Sequence, residues 1–274
     1  MKKEDTIGSW SVEKLELLRK YLQAYVTVLK NQSFIKGYEY IDGFAGTGKP
    51  KTRDEERYVE GSPRVALALS TPFTKYHFIE ISDWRIQKIE EMKRDFPDRK
   101  IEIYPGDCNQ VLCGQIIPGL PWSSYKRAIA FLDPFGMSLE WDTLKAIASA
   151  RTIEVLVNFP VMDINRNVRL KNKNRISEES RERMDRFWGP GWEGEIFVER
   201  QGLFEKEIVL KPQSAKELGY RYQKRLLEIF RFCTIPVVLR NSTNAPLYCL
   251  IFAGHNKTGA NIAEDIFGKF EKMG

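Results

Sequence analysis

The segment Tyr40-Ile41-Asp42-Gly43-Phe44-Ala45-Gly46-Thr47-Gly48 decides the fold class. In it an apolar run leads to an acid and then to closely spaced glycines. Glycines let a backbone approach a ligand closely, and an acid at the carboxyl end of a strand accepts hydrogen bonds from ribose hydroxyls or an amino group. The segment therefore predicts a strand followed by a cofactor-binding loop.

The same loop comes close to a phosphate-binding P-loop, because Gly43, Gly48 and Lys49 have the spacing of that motif. Pro50 argues against this interpretation. A P-loop needs a Ser or Thr hydroxyl at that position for magnesium and a backbone amide for phosphate, and proline has neither. Nucleotide hydrolysis is therefore not the predicted activity.

Two further predicted strands also end in acids. Residues 75–79 lead to Glu80-Ile81, and residues 101–104 lead to Gly106-Asp107-Cys108. The interval between Asp42 and Glu80 is longer than the roughly 20 residues usual in dinucleotide folds. A polar loop over 49–60 explains the excess, and the next helix is predicted to start at Ser62-Pro63, with Ser62 as its N-cap. Each of the two later acids could also simply cap the helix that follows it.

The fourth predicted strand leads to the segment that we consider the best candidate for catalysis. Residues 128–132 form the continuous apolar run expected of a central parallel strand, and they deliver Asp133-Pro134-Phe135-Gly136 to its carboxyl end. Ligands of open α/β sheets bind at that edge. An Asp-Pro turn without any catalytic role is the alternative.

Basic residues are concentrated after the predicted fifth strand, 155–159. They are Arg166, Arg169, Lys171, Lys173, Arg175, Arg181, Arg183 and Arg186. We expect residues 165–175 to be irregular and a helix to begin near Ser177. Arg166, Arg169 and Lys171 are predicted to contact a nucleic-acid backbone. A solvated lid or a docking surface for an acidic partner protein would give the same pattern.

The last third of the chain predicts the end of the sheet. A capping box at Ser214–Glu217 starts a long amphipathic helix. Residues 235–239 and 247–252 then predict an antiparallel edge hairpin. His255 follows this hairpin and is a predicted substrate-binding residue, although a lone histidine often only hydrogen bonds a loop.

Length and composition limit the class of protein. The chain has 274 residues, 42% of them hydrophobic, a net charge of +6 and a pI near 9.0. We predict one domain over 1–274, with a helical extension over 1–36 and a basic insertion over 161–212, which could act as a lid. No apolar run approaches the about 18 residues of a membrane span, and the start resembles no signal peptide, so we expect a cytoplasmic protein. Four cysteines and two histidines form no compact cluster, so no metal site is predicted.

The order of the strand-end acids resembles that of class I S-adenosylmethionine (SAM) methyltransferases. The resemblance implies a Rossmann-like α/β fold with a seven-stranded, mostly parallel sheet and an antiparallel C-terminal hairpin. It implies that SAM is held by Asp42, Gly43, Phe44, Ala45, Gly46, Gly48, Glu80, Ile81, Asp107, Cys108 and Asp133. Among these, Glu80 would bind the ribose hydroxyls and Asp107 the adenine amino group.

The Asp133 segment is similar to the motif of nucleic-acid amino methyltransferases, Asp or Asn followed by two prolines and an aromatic residue. It lacks the second proline, and its D-P-F-G string instead resembles that of tRNA guanine-N2-dimethyltransferases. Either resemblance implies catalytic roles for Asp133 and Pro134 as hydrogen-bond acceptors from an exocyclic amine. Phe135 would stack on the base.

Across nearly the whole chain the landmarks resemble the three-Cys-motif partner (TcmP) family. The matching segments are the helix around Leu15, Leu18, Tyr21 and Tyr25, then 40–48, 61–63, 78–80, 131–141, 159–160, 165–166, 246–248 and 255–259. The resemblance implies a methyltransferase-like fold and a partner protein with three clustered cysteines that resembles radical-SAM proteins. It implies no substrate, so a non-catalytic or partner-dependent subunit is the alternative to a nucleic-acid methyltransferase.

Overall fold

The computed structural model describes residues 6–7, 10–48, 51–52, 60–201, 206–210 and 214–273. Most of the predicted polar loop, residues 49–50 and 53–59, lies outside the described residues. Residues 202–205 and 211–213 of the predicted insertion also lie outside them.

The strands and helices alternate over the first two thirds of the chain, as the sequence predicts. The strands are β1 (Thr6–Ile7), β2 (Gly37–Asp42), β3 (Lys51–Thr52), β4 (Lys75–Glu80), β5 (Ile101–Pro105), β6 (Lys126–Leu132), β7 (Ile153–Phe159), β8 (Phe197–Gln201), β9 (Lys206–Leu210), β10 (Phe232–Cys233), β11 (Val237–Arg240) and β12 (Pro246–Gly254). The helices are α1 (Trp10–Leu29), α2 (Ser62–Leu67), α3 (Asp83–Lys93), α4 (Cys108–Val111), α5 (Trp141–Ala150), α6 (Val161–Asn167), α7 (Glu178–Trp188), α8 (Trp192–Ile196), α9 (Ala215–Leu226) and α10 (Lys257–Met273).

Parallel strands form the centre of the main sheet, in the order β5-β4-β2-β6-β7. In this register Tyr40 of β2 lies between Tyr76 of β4 and Ile129 of β6. All three side chains are fully buried, because helices cover both faces of the sheet. This double burial explains why the central strands read as continuous apolar runs in the sequence.

The C-terminal strands complete the sheet in the antiparallel direction. β12 pairs with β7, where Ile251 faces Val157, and β10 and β11 share the opposite side of β12. Within the described residues the sheet therefore has eight strands in seven positions. The predicted mostly parallel sheet with an antiparallel C-terminal hairpin is confirmed. Because β12 is reversed, it ends at the edge where the parallel strands begin.

Two apolar clusters lie on the two faces of the sheet. One contains the stripe of α1, including Leu18 and Tyr21, together with α2, α3 and α10. The other is built from α4, α5, α6, α7 and α9. Among the described residues, no helix has both the length and the apolar content that a bilayer crossing requires.

The predicted insertion is packed into the second cluster. Met184 and Phe187 of α7 are completely buried, and the Phe187 ring stacks on Tyr222 of α9 with centroids 5.2 Å apart. The expectation of an irregular chain over 165–175 is only partly right, because α6 extends to Asn167 and a 3-10 turn spans Lys173–Arg175. Helices of the insertion are thus part of the core, and its predicted contact with substrate stays a prediction.

Helix starts show where local sequence rules hold. Ser214 and Glu217 form the predicted capping box. Ser62 was the wrong N-cap for α2, because Gly61 holds that position and Ser62 is the first helical residue. The Ser62 hydroxyl instead hydrogen bonds to Asp42.

Candidate active site

An open cleft of about 510 Å³ lies at the carboxyl ends of β2, β4, β5 and β6. We call it the front cleft. Its walls are residues 43–48, 61–62, 79–81, 106–108 and 133–135, together with Lys14, Leu15, Arg85, Ser138 and Tyr248. Every residue predicted to be catalytic or to bind the cofactor lines this cleft, except Asp42. Residues from four different strand ends are therefore brought together as the parallel topology requires.

The glycine loop after β2 forms one wall of the front cleft. The Gly43 amide donates to the Phe131 carbonyl at 3.0 Å, which fixes the loop to β6. A side chain at Gly43 has no room, since an added Cβ would lie 2.8 Å from the Cys108 sulfur. Gly46 and Gly48 have φ angles of 63° and 69°, which favour glycine over other residues. The loop thus needs its glycines both for packing and for its backbone path.

Asp42 lies beneath the glycine loop and does not line the cleft. Its carboxylate accepts hydrogen bonds from the Tyr40 hydroxyl at 2.9 Å and the Phe44 amide at 3.4 Å, and Ser62 hydrogen bonds to it as well. Burial raises the pKa of Asp42 to about 7, because the charged form is poorly solvated there. The structure therefore gives Asp42 a role in holding the loop, where the sequence predicted direct contact with a cofactor.

Glu80 is held mainly by backbone amides. One carboxylate oxygen accepts from Gly46 at 3.0 Å, and the other accepts from Ile81 at 3.0 Å and from Ser82 at 2.9 Å. Arg85 lies 3.7 Å away. A carboxylate has about four acceptor sites, so three backbone bonds leave limited capacity for a ligand. Glu80 joins the glycine loop to the start of α3, and its predicted contact with ribose stays a prediction.

Asp107 caps a helix and also lines the front cleft, and its predicted contact with adenine stays a prediction. Its Oδ1 atom caps α4 by accepting from the amides of Asn109 at 2.9 Å and Gln110 at 3.2 Å. Its Oδ2 atom has no protein hydrogen-bond partner among the described residues, and Asp107 lines the cleft. Cys108 beside it is buried, which raises the pKa of the thiol well above its usual value. Asp107 is thus both a cap and an open acceptor.

Asp133 is tied to two neighbours that the sequence did not indicate as site residues. Its Oδ2 atom forms an ion pair with the Lys14 ammonium of α1. Its Oδ1 atom accepts from the Asn158 side-chain amide of β7 at 2.6 Å. The Lys14 side chain is only 7% exposed and also lies over the ring of Tyr248, 5.7 Å from its centroid. Asp133 is therefore fixed in position from two sides.

Phe135 projects from the mouth of the front cleft. Its side chain is 90% exposed, the highest value among the large apolar side chains of the described residues. Pro134 before it is buried. Ile81 on the opposite wall is 70% exposed. Exposed aromatic and aliphatic surface around a cleft commonly marks a binding site.

The predicted substrate-binding residues of the insertion do not line the front cleft. Arg169 is half-buried and donates to Asn165 at 2.6 Å, and burial lowers the pKa of its guanidinium. Arg166 and Lys171 are exposed. Other basic residues of the segment are paired within the protein, as in the Arg183–Asp163 ion pair at 2.9 Å. The basic surface is therefore smaller than the sequence suggests.

His255 lies at the other edge of the sheet and does not line the front cleft, so its predicted contact with substrate stays a prediction. Because β12 runs antiparallel, its end meets the amino ends of the parallel strands. There His255 lines a second cavity of about 480 Å³ and hydrogen bonds to the Ala148 carbonyl at 2.8 Å. We call this the rear cavity; its walls include Tyr25, Arg127 and Glu154 as well.

Lys14 and Thr47 are the most informative site residues that sequence reasoning missed. Lys14 lies on the apolar stripe of α1 with Leu18 and Tyr21, and a charge on such a stripe is a signal that could have been used. Thr47 has a buried hydroxyl with no hydrogen-bond partner among the described residues. Thr47 also lines the front cleft.

Comparison with solved structures supports the fold. The protein LPL1258 of Legionella pneumophila, assigned to family DUF519, aligns with a TM-score of 0.55 at 12% identity, over 93% of this chain and 90% of that chain. A candidate SAM-dependent methyltransferase of Listeria monocytogenes aligns with a TM-score of 0.41 at 12% identity, over 86% and 99% of the two chains. The N-terminal domain of EvdMO1 with SAH and D-fucose aligns with a TM-score of 0.40 at 10% identity, over 88% and 83%. At these identities the likeness shows the fold alone, and it rests on the Legionella protein.

No protein-family model and no curated protein matches the sequence.

Proposed function

We propose that the front cleft binds SAM and that the protein methylates an amino group of a nucleic-acid base. The observation that carries this proposal is the position of Asp133. Its carboxylate, fixed by Lys14 and Asn158, lies in the same cleft as the glycine loop and two residues before the exposed Phe135.

The residues of the cleft fit an amino-acid nucleoside such as SAM. Among the described residues, one carboxylate oxygen of Asp107 has no hydrogen-bond partner and could accept from an adenine amino group, and the buried Thr47 hydroxyl on the cleft wall has no partner either. Phe44 and Ile81 supply apolar wall, and Glu80, Asp107 and Asp133 make the cleft rich in carboxylates. Carboxylates suit a ligand that carries an ammonium and a sulfonium cation. When bound, SAM supplies an electrophilic methyl group.

Asp133 is the residue that orients the methyl acceptor in this proposal. Among the described residues each of its oxygens has one partner, and a carboxylate oxygen has a second lone pair for an incoming amine. The adjacent Pro134 carbonyl is the second acceptor that the motif implies. Phe135 offers an exposed ring on which a base can stack. Since such a transfer depends on alignment, positioning residues are sufficient and no covalent intermediate with the protein is needed.

The test of the cofactor site is calorimetric titration of SAM into the wild-type protein and an Asp107→Asn variant. Asparagine caps helices as well as aspartate, so the change removes the open acceptor and leaves the fold intact. We expect wild-type binding in about the micromolar range and at least about tenfold weaker binding in the variant. Asp142→Asn, an exposed acid on α5, is the matched control and should change nothing. Absence of SAM binding in the wild type, or equal affinity in the Asp107 variant, would contradict the proposed site.

A second candidate function is that of a subunit that becomes competent only with a three-Cys-motif partner. The observation favouring it is that two acids of the cleft are already engaged, Glu80 by three backbone amides and Asp133 by Lys14 and Asn158. Coexpression with such a protein, followed by size-exclusion chromatography and SAM titration of the complex, tests this candidate. Binding of SAM by the complex and not by the isolated chain would support it, whereas tight binding by the isolated chain would remove its basis.

A further inference from the structure

The rear cavity brings together four cations that have no acidic partner. Arg127, Arg151, Arg231 and Lys257 all line it, and none of them forms an ion pair with a carboxylate among the described residues. Elsewhere in the described chain many basic side chains are paired, as in Lys173–Glu193 and Arg221–Glu195. Four unpaired cations around a cavity of about 480 Å³ produce a local positive potential suited to an anion.

The beginning of α10 adds to this potential. Asn256 caps the helix by accepting from the Thr258 amide at 2.9 Å, and residues 256–259 line the cavity. With 17 residues, α10 is long enough for its N-terminal partial charge to attract an anion. The pKa of His255 is lowered mainly by burial. The positive charges of Arg151 and Arg231 lower this pKa further.

An independent observation is a buried polar group on the cavity wall that lacks a partner. Tyr25 is 5% exposed and lines the cavity, and its hydroxyl has no hydrogen-bond partner among the described residues. Glu154 also lines the cavity, and its carboxylate accepts a hydrogen bond from the Tyr21 hydroxyl at 3.1 Å. Burial raises the pKa of Glu154 to about 7, so its protonated form is available as a donor near neutral pH. Unsatisfied buried polar groups are rare in folded proteins and call for an explanation.

The mouth of the cavity offers a surface for a planar ring. Trp122 is 60% exposed, and the Arg127 guanidinium lies 4.0 Å from the centroid of its ring. Val28, Leu29 and Ile262 supply apolar wall nearby. A phosphate pocket next to an aromatic platform matches the two halves of a nucleotide.

We propose that the rear cavity is a binding site for a nucleoside 5′-monophosphate, with the phosphate at the start of α10 among Arg151, Arg231 and Lys257 and the base at Trp122. A cavity of this size suits one small ligand. The cations surround a single pocket and do not form a track along the surface, which favours a free nucleotide over a nucleic-acid strand. The site is separate from the front cleft, at the opposite edge of the sheet.

The experiment is calorimetric titration of the full chain with AMP, GMP, CMP and UMP, compared with inorganic phosphate, the four nucleosides and a 5′-phosphorylated tetranucleotide. We expect at least one monophosphate to bind at least about tenfold more tightly than inorganic phosphate or its own nucleoside, because only the nucleotide uses both halves of the site. The proposal would be overturned if none of the four monophosphates bound saturably. It would also be overturned if inorganic phosphate bound as tightly as the monophosphates, or if the tetranucleotide bound more tightly than they do.

Variants locate the site and separate it from the front cleft. Arg231→Gln and Lys257→Gln should each weaken nucleotide binding about tenfold, and Trp122→Ala should weaken it severalfold. Lys224→Gln, an exposed lysine on α9, is the charge-matched control and should have no effect. An equal loss of nucleotide affinity in the Lys224→Gln control would show that the nucleotide responds only to the net charge of the protein, and it would refute the site. The Asp107→Asn variant should bind the nucleotide normally, so failure of SAM binding and failure of this proposal give different results.

Discussion

The front cleft and the rear cavity lie at opposite edges of one sheet and have similar volumes, about 510 and 480 Å³, yet their charges are opposite. The acids of the front cleft are Glu80 and Asp107, whose oxygens accept from backbone amides, and Asp133, which is held by Lys14 and Asn158. Among the described residues, Arg127, Arg151, Arg231 and Lys257 line the rear cavity without forming an ion pair. Helices that follow parallel strands begin at the carboxyl edge, where acids such as Asp107 can cap them. Helix α10 follows β12, and because β12 is antiparallel, α10 begins at the rear edge of the sheet. Its N-terminus lies there beside several arginines and Lys257. The direction of a single strand therefore allows one sheet to carry two chemically distinct sites.

The largest effect that would test this contrast is expected from Asp133→Asn. Removing the carboxylate acceptor should lower methyl transfer at least about 100-fold, while SAM affinity stays nearly unchanged. Transfer of labelled methyl from SAM to total RNA and genomic DNA measures the first quantity, and calorimetry measures the second. A parallel loss of SAM affinity would assign Asp133 to the cofactor. Nucleotide binding at the rear cavity should not change.

The next largest effect concerns the ion pair that holds Asp133 in the front cleft. Lys14→Met should lower the free energy of unfolding by about 1–3 kcal/mol, because it leaves Asp133 without its cation in a partly buried position. Lys20→Met on the same helix removes an exposed pair with Glu16 and should cost about 0.5 kcal/mol or less. Urea denaturation measures both. Equal losses would mean that the Lys14–Asp133 pair is no stronger than a surface pair, and a Lys14→Met/Asp133→Asn double variant then gives the coupling energy directly.

Glu154, on the wall of the rear cavity, should make the stability of the protein depend on pH. Its folded-state pKa, about 7, is raised above the value of an unfolded chain, so the native state binds more protons between these two values and its stability falls as pH rises toward and through 7. Between about pH 5 and pH 8, the free energy of unfolding of the wild type should fall by about 2 kcal/mol more than that of the Glu154→Gln variant, because the variant lacks this titrating group. Denaturation curves at several pH values measure this slope. The share from Asp42, whose pKa is also raised to about 7, should remain. An unchanged slope in the variant would contradict the raised pKa of Glu154.

The smallest effects come from the two exposed aromatic residues, one at each site. Phe135→Ala should lower kcat/KM for methyl transfer about tenfold through lost stacking, without changing the melting temperature. Trp122→Ala should leave methyl transfer unchanged and weaken nucleotide binding. Reciprocal assays of the two variants sharpen the comparison, since any crossed effect would show that the sites are coupled.

Much of the front cleft could be predicted because strand ends are local features. An apolar run that stops at an acid, as at Glu80 or Asp107, marks both the end of a strand and the side chain placed there. His255 obeys the same pattern but lies at the opposite edge, and the sequence near a strand does not by itself place its end in the assembled sheet. Ser62 looked like a helix cap, but its hydroxyl is used by Asp42, a residue that only the fold brings near.

The sequence alone determined the alternation of strands and helices, the glycine loop and the acids at the strand ends. These features follow from apolar periodicity and from backbone freedom, which act over a few residues. Tertiary structure alone decided that Lys14 reaches Asp133, that Asp42 lies under the loop, and that distant arginines surround one cavity. The Lys14–Asp133 pair and the walls of the cavity join residues more than a hundred positions apart, and all of these contacts depend on burial and charge that exist only after the sheet has been assembled.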